Sequence, residues 1–177
     1  MRFSPPGVPI VADHPLLAHI RGTIAPLIVL VTVTLLLRLV GQLAIVGLRD
    51  WATATRGGLA AMFCFTAVEH FNVLHPDLVR MIPPRVPAPE IMVTLTGVCE
   101  LLGAAGLLLP RTRRITAVVL ILLLVAVLPA DIHAATTGGT LAGQPVTPLV
   151  PRVALQGLFI ALVWWAGIRT GRRPAAW

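Results

Sequence analysis

Residues 111–114 read Arg-Thr-Arg-Arg and stand between two runs of almost unbroken apolar sequence, 91–109 and 115–130. Each run has the length, about 20 residues, that a helix needs to cross a bilayer. A helix satisfies its own backbone hydrogen bonds, which the lipid interior demands. A tight basic turn between two such helices marks a hairpin tip on the cytoplasmic side, so Arg111, Arg113 and Arg114 are assigned to a cytoplasmic hairpin. The chain is therefore read as an all-α membrane protein built from hairpins.

Composition removes the soluble alternative. Of 177 residues, 56% are hydrophobic and 12% charged, against about 25% charged in a soluble domain. The mean hydropathy is +0.88. The net charge of +7 comes from 14 arginines against 7 carboxylates, with no lysine. Such a basic balance can signal nucleic acid, but these arginines gather at the ends of apolar runs, where anionic lipid headgroups lie. Membrane lipids are the expected partners and nucleic acid is not. Arginine without lysine, in an Ala-, Val-, Leu- and Pro-rich chain, points to a GC-rich bacterial genome.

Five apolar segments follow one another: 24–48, 52–72, 90–109, 115–133 and 152–168. The expected architecture is a four-helix transmembrane bundle over 52–169 with an additional N-terminal hydrophobic helix over 24–48. A Pro-rich polar segment, 1–23, precedes it and is not read as a cleavable signal peptide; a basic tail, 170–177, follows. With spans alternating, Arg49, Arg56, Arg111, Arg113, Arg114, Arg169, Arg172 and Arg173 share one side. Arg2, Arg21, Arg80, Arg85 and Arg152 share the other. Eight against five puts the first group in the cytoplasm and predicts an N-out, C-in inner-membrane protein. Trp51, Trp164 and Trp165 fall at the same side, where indoles form an interfacial belt. Two outer loops remain. Residues 73–89 are proline-rich and stiff, either a connector or a cap over a cavity, and 134–151 carry no charge and read as a connector.

Polar groups inside the spans carry the chemistry. Glu100 lies about 15 Å deep in the third span, where an unpaired charge is expensive. Gly97, Glu100, Gly103, Ala104 and Leu107 recur at three- and four-residue steps, a stripe of mostly small residues suited to close helix contact. Glu100 is therefore expected to face protein, with Arg38 as its structural partner. The competing reading is a proton- or ligand-handling carboxylate. Glu69 and His70 close the second span, and Asp131 and His133 close the fourth. With Glu100 they form a candidate outward-facing polar site, the alternative being helix ends that merely meet water. His75 and Asp77 lie at the same level. No spacing suits a metal site, and nothing beyond paired histidines argues for heme. Cys64 and Cys99 form no CxxC, and their similar depth permits contact. Catalytic residues are not identified, because no self-sufficient catalytic motif is present.

These residues resemble a known family. Residues 56–71, which begin with Arg56 and end in Glu69-His70-Phe71, are similar to the first helix of DoxX-like small integral membrane proteins. Met81-Ile82-Pro83-Pro84, Pro87 and Gly97-Val98-Cys99-Glu100-Leu101-Leu102-Gly103 resemble that family's second helix and the loop before it. Leu109-Pro110-Arg111-Thr112-Arg113-Arg114 resembles its basic hairpin, and Leu128-Pro129-Ala130-Asp131-Ile132-His133 the end of its third helix. The resemblance covers 56–168 and implies a four-helix membrane bundle. Some relatives are tied to quinone-linked sulfur oxidation and others to redox partner complexes. Here 24–48 is extra, Asp131 stands where relatives often have asparagine, and Thr66-Ala67 where they often have glycine. The expected role is a membrane subunit, not an enzyme in its own right, that binds a redox protein or a lipid-like ligand such as quinone, alone or as a homo-oligomer. A proton-coupled transporter and a quinone-linked oxidoreductase are the alternatives.

Overall fold

A computed structural model describes residues 15–141 and 144–171. Among the described residues six α-helices make up the fold: α1 (Pro15–Leu43), α2 (Trp51–Glu69), α3 (His75–Met81), α4 (Pro89–Leu108), α5 (Arg113–Thr136) and α6 (Leu149–Val163). A tight 3₁₀ turn, Val46–Arg49, joins α1 to α2, and α6 runs on into a wider π turn, Trp164–Ile168. A two-stranded antiparallel hairpin, β1 (Thr140–Leu141) with β2 (Gln144–Pro145), lies between α5 and α6.

Among the described residues four stretches are long and apolar enough to cross a membrane: Ile24–Leu43, Pro89–Leu108, Arg113–Thr136 and Leu149–Ile168. Their outward faces carry exposed Leu, Ile and Val, as a lipid-facing surface requires. The protein is an all-α membrane bundle.

Helix α2 is its axis. At 19 residues it is about as long as the bilayer core is thick, yet it carries Arg56, Glu69 and several threonines, and is not among the four apolar stretches. Nine of its residues are buried, and it packs against α1, α4 and the end of α6. A helix enclosed by other helices can hold polar side chains that lipid would reject. Leu59, Met62 and Phe63 of α2 meet Leu107, Leu120 and Val163 in the core.

Helix α1, the expected additional N-terminal helix, packs along α2. It begins at Pro15, inside the stretch read as a Pro-rich polar segment, and ends at Leu43, short of the expected 48. Residues 1–14 lie outside the described residues. Its contact with α2 is the most extensive between two helices among the described residues. A Cβ at Gly58 would fall 2.7 Å from the Leu30 carbonyl oxygen, so glycine there sets the approach. The anticipated stripe on α4 is buried at Gly97, Glu100, Gly103, Ala104 and Leu107. The two loops expected to face outward hold more structure than their proline and glycine content suggested, namely α3 and the short β-hairpin.

Candidate functional site

Thr66 and Glu100 face each other where α2 crosses α4. The Thr66 hydroxyl donates to Glu100 Oε2 at 2.7 Å, and Glu100 is 9% exposed. Glu100 is held on this side because Gly97 and Gly103, one turn away in either direction, let α4 approach its neighbours closely. His70, the residue that closes α2, places its Nδ1 2.9 Å from the Val93 carbonyl oxygen. A carbonyl only accepts, so Nδ1 carries a proton, and Nε2 is the nitrogen left to face Glu100. That Nε2 lies 3.9 Å from Glu100 Oε1.

Opposite them, Arg152 of α6 donates to Asp131 of α5 at 2.7 Å, with both side chains largely shielded. Gln156, one turn beyond Arg152, donates through Nε2 to the Leu124 carbonyl. These groups surround a cavity of about 210 Å³ that Glu69, His70, Glu100, Asp131, Arg152 and Gln156 line together. Pro26, inside α1, forms part of its wall.

The structure thus brings Glu69, His70, Glu100 and Asp131 to one cavity. It does not bring His133 there. The His133 Nδ1 donates to the Met81 carbonyl oxygen at 3.1 Å and ties α5 to the end of α3. His133 is two residues from Asp131, about 200° around a helix, so the two side chains leave on opposite faces. The expected Arg38–Glu100 pair is also not formed. Helix α2 packs against both α1 and α4 and stands between them. Arg38 instead lays its guanidinium over Trp51, 4.4 Å from the ring centroid. His75 and Asp77 belong to α3, where Asp77 bonds Arg80. Both cysteines are free thiols, Cys64 exposed and Cys99 partly buried.

Three participants went unrecognised in the sequence. Thr66 stands out in the sequence only as a departure from a frequent glycine, Arg152 only as an outer-side arginine, and Gln156 not at all. The last two are four residues apart and so share a helix face, a signal that was there to be read.

A second cavity, about 380 Å³, opens between α3, α4 and α5. Its wall is almost wholly apolar, including Leu78, Met81, Ile82, Val86 and Leu123, with Pro129 of α5 at its edge. His70, Val127 and Asp131 line both cavities. A polar chamber and an apolar chamber therefore meet at one pair of polar side chains. That arrangement can take a molecule with a hydrogen-bonding head and a hydrocarbon body.

The model of a domain of unknown function, DUF8561, matches residues 59–167. The chain belongs to the DUF8561 family. The match includes every residue that lines the polar cavity except Pro26, and it leaves α1 outside. No curated protein and no solved structure matches the chain.

Proposed function

We propose that this DUF8561 member is a multi-pass protein of a bacterial inner membrane, N-out and C-in, that binds an amphipathic, quinone-like ligand. In this reading the polar head occupies the chamber of Thr66, His70, Glu100 and Arg152, and the apolar body lies against α3, α4 and α5. The observation that carries it is the meeting of the two chambers at His70 and Asp131. A quinone carbonyl would accept a hydrogen bond from Arg152, and when a redox partner reduces the quinone by two electrons, Glu100 and His70 would supply protons to its oxygens to give the quinol. The DoxX resemblance supports the same ligand class and a role as a membrane subunit serving a redox partner. The orientation rests on the arginines, since Arg49, Arg56, Arg111, Arg113, Arg114 and Arg169 gather at one end of the bundle.

Proton-coupled transport is the competing reading, favoured by a carboxylate deep in the bundle beneath a histidine. Chromatography of the organic extract of the purified protein separates the two. A stoichiometric quinone or quinone-like lipid in the wild-type extract, reduced in Glu100→Gln, is the expected result. An extract without such a compound, together with proton uptake by proteoliposomes that depends on Glu100, would replace this reading with transport.

A further inference from the structure

The geometry points to a binding site for the phosphate of an anionic lipid headgroup at the basic end of the bundle, formed by Arg38, Gln42 and Arg49. These three residues line a cleft of about 390 Å³ where α1 ends and the 3₁₀ turn begins. It lies far from the two chambers described above and is independent of what they bind.

Arg49 is fixed in place. Its Nε donates to the Gly41 carbonyl at 3.1 Å and an amino group to the Gln42 carbonyl at 3.4 Å, covering the open carbonyls at the end of α1. Gly41 makes this possible. A Cβ there would stand 2.5 Å from the Leu48 carbonyl carbon and 2.8 Å from the Arg49 nitrogen. Arg38 is fixed by its stacking on Trp51, and its buried Nε has no hydrogen-bond partner.

Two guanidinium groups thus face one cleft, and among the described residues neither forms an ion pair with a carboxylate. The nearest carboxylate in the chain, Asp50, accepts from the Thr53 backbone and hydroxyl at the start of α2. The other described carboxylates, Glu69, Asp77, Glu90, Glu100 and Asp131, belong to the opposite end or the interior. Two positive charges fixed side by side in an open cleft attract an anion, and guanidinium geometry suits phosphate oxygens. Arg38 lies five residues before the end of an apolar span, about 7.5 Å from its edge. Trp51 sits beside it, as indoles do at the headgroup level. From that depth the long arginine side chain reaches up to the headgroup level, where lipid phosphates lie, which favours a lipid phosphate over a soluble anion.

The test is native mass spectrometry of the full chain in detergent, titrated with phosphatidylglycerol or phosphatidylcholine. Wild type should retain one phosphatidylglycerol in preference to phosphatidylcholine. Arg38→Gln/Arg49→Gln should weaken that retention roughly 25-fold, the effect of losing two interfacial arginines. Arg80→Gln, at the other end, should leave it unchanged. Equal retention by wild type and the double variant would overturn the proposal. If the double variant loses its helical circular dichroism, wild type decides alone, because equal retention of the two lipids overturns the site. Displacement of phosphatidylglycerol by millimolar inorganic phosphate would overturn the lipid assignment in favour of a soluble phosphate.

Discussion

The Thr66 hydroxyl donates a 2.7 Å hydrogen bond to Glu100 Oε2 and so joins α2 to α4 through the most deeply placed carboxyl group of the bundle. The same hydroxyl lies 3.2 Å from the Phe63 carbonyl oxygen, so its position is set by its own helix before Glu100 arrives. Thr66→Val keeps the shape and removes the donor. Thermal melting should register a loss of about 1–3 kcal/mol, the usual cost of leaving a buried polar atom without its partner. Glu100→Gln, which keeps an acceptor for Thr66, should melt closer to wild type than Glu100→Ala. Identical melting of the two Glu100 variants would remove the hydrogen bond from the account of stability.

Asp131 and Arg152 form the pair that ties α5 to α6 at the cavity wall. Asp131→Leu leaves the guanidinium without its partner and should cost about 3 kcal/mol. The double variant Asp131→Leu/Arg152→Leu should regain much of that stability while reducing retention of a polar-headed ligand. A double variant no more stable than the single one would show that the pair is not the relevant partner.

Gly97 faces His70 closely. A Cβ there would meet the His70 Cβ at 2.6 Å and the Phe71 ring at 2.8 Å. Gly97→Ala should cost about 1–3 kcal/mol through overpacking and push His70 away from Glu100. The expected readout is a lower melting temperature with unchanged helical circular dichroism and reduced ligand retention. Full retention would mean that the position of His70 is not critical to the site.

Orientation is open to direct labelling. In a cysteine-free background, Thr140→Cys should react with a membrane-impermeant maleimide from the outside of intact spheroplasts, and Thr112→Cys only after lysis. Labelling of Thr112→Cys from outside would reverse the orientation.

Much of this molecule is written locally. A run of some 20 apolar residues commits itself to a membrane-crossing helix whatever surrounds it, because bilayer thickness and backbone hydrogen bonding act on each segment alone. Hence 90–109 and 115–133 correspond closely to Pro89–Leu108 and Arg113–Thr136. The buried stripe through Gly97, Glu100 and Gly103 was likewise legible, since helical period alone places those residues on one face. Partnership is not local. Arg38 and Glu100 looked suited by opposite charge, yet α2 packs against both of their helices, and an order of helices around an axis leaves no mark in a hydropathy pattern. His70 and His133 lie at similar depths by sequence, but rotation about each helix sends one to Glu100 and the other to Met81. Seven-residue α3 is too short to show a period. Only the packed bundle decided that Arg152 meets Asp131, that Thr66 meets Glu100, and that a polar and an apolar chamber share His70. Each of those relations joins residues at least 21 positions apart on separate helices, and it is tertiary packing that brings such residues together.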